Sequence, residues 1–458
     1  MKNGRFLVHV ALGVVGIFFL SAASFASEEQ AVIIGLQRGD GASAEGIVQA
    51  LGAQLTAQGG RLKHSFTLID AVAARVSEKA LQELQQNPNV RYIVPDGAVA
   101  TPEHWADGGF TQPGASELRS AATPVELYSW GVKRVKAPVV HRAQSSAASA
   151  TIFGLLALGI LGLFGFGVGT QRSRKIFGML WIAGMLPLGV GGCSLVVVLP
   201  HPGILGEGVQ VALLDTGIDL RHPDLQANYW GGVDLVNSDD DPQDDNGHGT
   251  GVAGILAAAQ NGLGLIGVAP KVKVWSVKML DRDEQGSISD LIEGIEWAIE
   301  RGAQIISMSL GTPDDNPALR EAVEAAQVAG KLLIAASGNK GPRVLYPAAY
   351  PQVMAVAATD KSDQRAWFSN MGPEVEIAAP GTDLLSTGLE GKYQIVNGTS
   401  FSVPHVAGVA ALLFSLGISD ASEVRRRLDE TAEDLGLAVT AQGYGLVDAE
   451  RAVLWSSP

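Results

Sequence analysis

The sequence predicts an α/β protein built on a doubly wound, mostly parallel sheet, preceded by a small ferredoxin-like α+β unit and interrupted by a transmembrane helical hairpin. Three observations predict it. From Gly203 onward, short apolar runs alternate with helical patterns, as in a parallel sheet covered on both faces. Residues 31–94 carry their own rhythm of strand-like and helical segments. Residues 151–200 hold two long apolar runs joined by a short basic turn.

In chain order, residues 1–26 read as a secretory signal peptide. Lys2 and Arg5 are basic, Phe6–Leu20 is apolar, and Ser24 and Ala26 are placed for a cut before Ser27. The next unit spans 27–96. Ala31–Leu36 is strand-like, Ser43–Gln58 has helical spacing through Ile47, Leu51 and Leu55, and Phe66–Val76 is strand-like again. Ser77 caps a helix through Gln86, and Val90–Val94 is a last strand. Residues 97–124, rich in Gly, Pro, Ala and Thr, read as a linker.

Residues 145–202 are expected to insert a hairpin into the domain that begins at 125–144 and continues over 203–458. Thr151–Thr170 and Ile176–Pro200 lack a polar face, and each run can cross ~30 Å of hydrocarbon at ~20 residues per helix. Arg172, Arg174 and Lys175 lie between them. The positive-inside rule then places that turn in the cytoplasm and the rest of the protein, membrane-anchored, in the periplasm or outside the cell.

Beyond the hairpin, Val209–Asp215, Val272–Met279, Gln304–Leu310, Lys331–Ser337 and Val353–Ala358 are the expected strands. Ile288–Arg301 and Asn316–Ala329 are the clearest helices. Sites in such sheets sit at the carboxyl ends of strands, here near Asp215, Leu310 and Ser337-Gly338-Asn339.

A length of 458 residues allows two or three domains, and a net charge of −14 argues against a nucleic-acid partner. Arg425-Arg426-Arg427, between Glu423 and Asp429, reads as a solvated helix face. The single cysteine, Cys193, excludes an intramolecular disulfide, so an exported chain needs another source of stability, such as a bound metal.

Three segments carry chemistry. Asp215 ends an apolar strand in Asp215-Thr-Gly, where it is a loop cap, half of an aspartic-protease pair, or the orienting acid of a serine nucleophile. An aspartic pair needs a second Asp-Thr/Ser-Gly, which the chain lacks. His248, in Asn246-Gly-His-Gly-Thr250, is surrounded by glycines that admit close backbone approach to an imidazole base. Ser400, in Asn397-Gly-Thr-Ser400-Phe-Ser-Val-Pro404, opens an apolar helix. There it is either an N-cap or a nucleophile aided by the helix dipole. His405 reads as structural.

Taken together and in order, these segments resemble the Asp, His and Ser signatures of the subtilisin-like serine proteases, the subtilases. The resemblance continues through Gly264–Pro270, Gly294–Ile299, Ser307–Gly311 and Tyr444–Asp448, and Trp130–His141 is similar to the start of the mature enzyme. It implies a subtilisin-like fold and a serine endopeptidase, with Asp215, His248 and Ser400 as the catalytic triad. It further implies Asn339, with the Ser400 N–H, as oxyanion donors. Ser309, Leu310 and Gly311 would pair with substrate backbone, Gly286 would form the opposite edge, and Ile288 with Leu310 would line an apolar S4 pocket.

A structural calcium is implied at Asp224 and the Asn261 loop. The acidic run Asp239-Asp240-Asp241, with Asp244 and Asp245, is either a solvated loop or a further cation site. Residues 27–96 resemble the family's inhibitor-type propeptide, an intramolecular inhibitor whose tail occupies the cleft, with autocleavage between Asp96 and Val125. The implied partners are protein or peptide substrates, the propeptide and a membrane. The rival is a non-catalytic binding module on the same scaffold, which the complete set of catalytic residues disfavours.

Overall fold

The computed structural model describes residues 29–37, 43–103, 127–141 and 203–455. Its N-terminal unit consists of β1 (Gln30–Leu36), α1 (Ala44–Ala57), β2 (Arg61–Ser65), β3 (Ala71–Val76), α2 (Glu78–Leu84) and β4 (Val90–Pro95). The strands lie in the order β2-β3-β1-β4, every neighbouring pair antiparallel, which is the ferredoxin-like arrangement expected. Ser43 and Ser77 accept the N–H groups of Gly46 and Ala80, so each helix starts on a side-chain cap. Ile47, Leu51 and Leu55 pack with Val32, Ile34 and Val72 into one core.

Two elements here differ from expectation. The strand read over Phe66–Val76 is β3 alone, and a separate strand, β2, precedes it. β2 is polar and largely exposed, so no apolar alternation marks it. Its pairing with β3 makes it a strand. Within the segment read as a linker, β5 (Ala98–Ala100) also forms a strand.

The larger unit begins with two short helices, α3 (Trp130–Arg134) and α4 (Ala137–His141). It continues with β6 (Gln210–Asp215), β7 (Tyr229–Asp234), α5 (His248–Ala257), β8 (Lys273–Lys278), β9 (Gln285–Ser287) and α6 (Ile288–Glu300). Then come β10 (Ile305–Met308), α7 (Pro317–Val328), β11 (Leu332–Ala336), β12 (Val353–Thr359), β13 (Val375–Pro380) and α8 (Val403–Ser415). Seven strands form one sheet in the order β13-β12-β11-β10-β6-β8-β7, with every pairing parallel.

The helices cover both faces. Val252, Ile255 and Leu256 of α5 join Val406, Val409 and Leu413 of α8 on one side. Leu291 and Ile295 of α6 join Leu319 and Val323 of α7 on the other. Each such side chain, fully buried, stabilises the fold by roughly 1.5–3 kcal/mol. The strands therefore read as continuous apolar runs rather than alternating ones. β7 and β13, the edge strands, escape the sequence reading.

The transmembrane hairpin over 145–202 is corrected. It lies outside the described residues, and among those described no helix is long and apolar enough to cross a membrane. The membrane anchor, the membrane as a partner and the membrane-anchored localisation drawn from it are withdrawn. Length, the missing polar face and a basic turn establish only that a run is long and apolar enough to span, not that it does. The signal sequence over 1–26 and Cys193 also lie outside the described residues.

Candidate active site

The carboxyl ends of β6, β10 and β11 converge on the N-termini of α5 and α8. Asp215, the last residue of β6, is buried and accepts the Nδ1–H of His248 at 2.7 Å and the N–H of Thr216 at 2.7 Å. His248 is the first residue of α5. Glycine is required beside it: a Cβ at Gly249 would stand 2.1 Å from the Gly217 carbonyl oxygen and 2.9 Å from Asp215 Oδ1. Asp215 thus partners an imidazole and not a second aspartate, which removes the aspartic-protease alternative.

Sequence reasoning misses the residue that shapes the His248 loop. Asp244 looks like a member of the acidic run, but it is buried. Its carboxylate accepts from Thr216 Oγ1, Asn246 N, Gly247 N, and both N and Oγ1 of Thr250. Burial holds its carboxyl above the usual range, against these hydrogen bonds, which favour the anion. Asp245 pairs with the buried Lys278 at 2.6 Å. Among the described residues no group of three or more His, Cys, Asp or Glu side chains is placed to hold a metal ion.

Ser400 lies in the short turn that leads into α8 and is fully buried. Asn339 follows β11. Its Oδ1 accepts the N–H and Oγ1–H of Thr399, at 3.1 and 2.9 Å, which aims Nδ2 at the space above Ser400. That space is filled by Glu103. Ser400 Oγ donates to Glu103 Oε2 at 2.9 Å, and Asn339 Nδ2 donates to Glu103 Oε1 at 3.0 Å. His248 Nε2 has no hydrogen-bond partner and lies 3.7 Å from Glu103 Oε2. Burial opposes the charged form of His248, but the Asp215 and Glu103 carboxylates outweigh it and hold its pKa well above the usual 6.5.

The residues expected at the substrate edges come together around β5. Ala100 and Gly311 exchange both backbone hydrogen bonds, at 3.1 and 2.8 Å, and β5 pairs antiparallel with β9, setting Val99 opposite Gly286. Val99 is buried in one cluster with Leu310, Leu280 and Ile288. Ser309 Oγ donates to the Ser400 carbonyl at 2.7 Å. His405 is buried, its Nδ1 is 2.9 Å from the Phe401 carbonyl, and burial pushes its pKa down to about 4. It is a packed histidine.

At the expected calcium position, Asp224 Oδ2 accepts from Leu265 N at 2.8 Å and Tyr393 OH at 3.0 Å. Asp224 Oδ1 is buried with no hydrogen-bond partner. Asn261 Nδ2 donates to the Pro223 carbonyl at 3.0 Å, and its Oδ1 accepts from Leu263 N at 3.0 Å.

Comparison with known proteins agrees with this geometry. Residues 206–446 match the Subtilase family, and residues 24–96 match the Fervidolysin N-terminal prodomain. The chain is 48% identical over 252 residues to a thermostable alkaline protease of Halalkalibacterium halodurans, covering 55% of this chain and 69% of that one. It is 45% identical over 252 residues to subtilisin BL of Lederbergia lenta, covering 55% and 92%. Against subtilisin E of Bacillus subtilis it is 33% identical over 405 residues, covering 87% and 84%.

Proposed function

The chain belongs to the subtilase family and is a serine endopeptidase, and on that premise we propose that it hydrolyses peptide bonds through an acyl-enzyme on Ser400 and is made as an autoprocessed zymogen. Ser400 Oγ attacks the substrate carbonyl while His248 Nε2 takes its proton. Asp215, bonded to Nδ1, fixes the tautomer that leaves Nε2 free to accept and steadies the imidazolium that forms. The carbonyl oxygen becomes an anion and moves toward Asn339 Nδ2 and the Ser400 N–H. His248 then gives its proton to the leaving amine, and water releases the acyl group by the same route.

The observation that carries this reading is the convergence on Glu103. One carboxylate is held by Ser400 Oγ and Asn339 Nδ2 and faces His248 Nε2. A reacting carbonyl needs those same three groups around it. The substrate backbone would lie as an added strand between residues 309–311 and β9, with an apolar side chain at Ile288 and Leu310. The N-terminal unit, 27–96, would inhibit the enzyme until it is cut away and destroyed.

A structural calcium is part of the proposal. Asp224 Oδ1, buried without a partner, is an anionic oxygen of the kind that calcium takes, and Asn261 Oδ1 keeps a lone pair for it. These residues would hold the ion, which neutralises the buried carboxylate and ties the 259–265 loop to the rest of the domain.

The test is covalent labelling. A serine-reactive phosphonate should attach to Ser400 of the mature enzyme, and Ser400→Ala should take up no label. A mature enzyme that hydrolyses peptides without being labelled would overturn the acyl-enzyme reading.

A further inference from the structure

We propose that Glu103 is an inhibitory latch: its side-chain carboxylate takes the place of the reacting acyl group and holds the uncut chain latent in a form that Ser400 cannot attack. This deepens the serine endopeptidase reading and rests on it.

The backbone enters the cleft as a substrate would. β5 pairs with β9, and Ala100 exchanges both backbone hydrogen bonds with Gly311. The next rung on that side would need an N–H from residue 102. Pro102 has none, so the ladder ends there. Thr101 stays in place by donating its N–H to the Glu284 carbonyl and its hydroxyl to the Glu284 carboxylate.

Beyond Pro102, a side chain and not a backbone carbonyl reaches the nucleophile. Glu103 is only 7% exposed, and its two oxygens divide the site between them: Oε2 faces Ser400 Oγ and His248 Nε2, and Oε1 faces Asn339 Nδ2. Gly398 makes the room. A Cβ there would fall 1.8 Å from Glu103 Oε1. Asn339 Nδ2 is one of the donors proposed to bind a developing oxyanion, and a carboxylate offers it a full negative charge at once. It also offers no reaction: it is a poor electrophile, and attack on it would need an oxide ion to leave. Ser400 is therefore engaged and protected by the same contact.

Two features separate this latch from simple blockage of the cleft. The contact favours a carboxylate, because Ser400 Oγ and Asn339 Nδ2 both donate to it and His248, whose charged form it supports, faces it. The Glu103→Gln substitution would keep the shape but remove the charge that faces His248 and one of the two accepting oxygens. The latch also ends the substrate-like strand at Pro102, so the segment 98–103 binds without presenting its own peptide carbonyl to Ser400.

The experiment compares full-length chains carrying wild-type Glu103, Glu103→Gln and Glu103→Ala. The rate at which a serine-reactive phosphonate labels Ser400 is read on the uncut band at early times. Both variants should label about 10- to 100-fold faster than wild type, the range for loss of hydrogen bonds to a charged group. Labelling of Glu103→Gln at the wild-type rate, whatever Glu103→Ala does, would reduce Glu103 to a steric plug and overturn the proposal. A second measurement is independent of variant folding. Acetylated, C-terminally amidated peptides of residues 96–103 are titrated against mature wild-type enzyme hydrolysing a chromogenic peptide. The peptides carrying Glu103→Gln and Glu103→Ala should inhibit at least about tenfold more weakly than the wild-type peptide, and equal inhibition would overturn the latch. If the mature enzyme neither takes the label nor cleaves peptide, the endopeptidase reading fails and takes the latch with it. An active mature enzyme with unchanged Glu103 variants removes the latch alone.

Discussion

Glu296, on α6 of the peptidase, accepts the backbone N–H of Leu68, in the N-terminal unit, at 2.7 Å. The same carboxylate takes the N–H and hydroxyl of Thr67, and it is nearly buried. These bonds, with burial opposing them, hold its pKa below the usual range, together with the neighbouring His64. Glu296→Ala should therefore loosen the N-terminal unit without touching Asp215, His248 or Ser400. Charge-assisted hydrogen bonds of this kind contribute about 1.5–3 kcal/mol, so inhibition by the separated unit should weaken about 10- to 100-fold. Titrating purified 27–96 against mature enzyme, with and without the substitution, measures it.

Ser400→Ala should abolish self-processing. The three groups that would perform the cut converge on one point, and the substitution removes the nucleophile among them. The chain should keep its uncut mass on gels and in mass spectra. Maturation of that variant in the absence of other proteases would show that the cut does not depend on Ser400.

Asn339→Ala should lower kcat about 10²–10³-fold with KM little changed, a magnitude carried over from the matching donor of subtilisin. The amide touches Glu103 in place of a substrate, so its contribution is to the transition state. The same variant should also weaken the Glu103 latch. A rise in KM with kcat unchanged would place Asn339 in ground-state binding instead.

Activation should accelerate as pH rises from neutral. With Glu103 seated, His248 stands between two carboxylates, Asp215 from β6 and Glu103 from the tail, and packs against the Phe401 ring. Its pKa is held well above 6.5 despite burial. Once Glu103 leaves, only Asp215 remains to favour the imidazolium, so the seated state binds the proton more tightly than the open one. The latch is fully supported below the open-state pKa and loses that support as pH climbs through the raised one. The lag before activity, followed from neutral to alkaline pH, should shorten for wild type and depend less on pH for Glu103→Gln.

Calcium should raise the melting temperature of the mature enzyme. An ion that binds only the native state stabilises it by about 2.7 kcal/mol at a hundredfold excess over Kd. Asp224→Asn should remove most of that response. Calorimetry with calcium and with chelator tests it, and identical melting curves would rule the site out.

The residues proposed to be catalytic are legible as a cluster because the contacts that bring them together impose local sequence. His248 needs Gly249, since any Cβ there collides with the Gly217 carbonyl, and Asp215 needs the end of an apolar strand. Such constraints are written into neighbouring positions. Glu103 and Asp244 are not legible, because Glu103 acquires its role from distant chain and Asp244 from a burial that its acidic neighbours conceal. Glu103 is carried into the site by β4 and β5, more than 200 residues before Ser400 in sequence but in contact with it. Asp244 looks like part of a solvated acidic run until burial separates it from Asp239 and Asp240. β2 and β5 fail to register for a related reason, since a polar or three-residue strand is specified by its partner. The hairpin is over-read from two apolar runs without a polar face and the basic turn between them.

Only Asp96 and Gly97 separate β4 from β5, and Asp96 is itself pinned by Ser289, whose N–H and Oγ donate to it at 2.8 and 2.7 Å. A strand on so short a leash meets the cleft at an effective concentration of about the millimolar range, whatever the amount of protein in solution. Dilution therefore cannot wake the uncut enzyme. A cut beyond Glu103 leaves the leash whole, and the strand then leaves only with the entire N-terminal unit. From that moment inhibition would be bimolecular, and the first freed molecules, by digesting other inhibitors, would turn a slow start into an abrupt one.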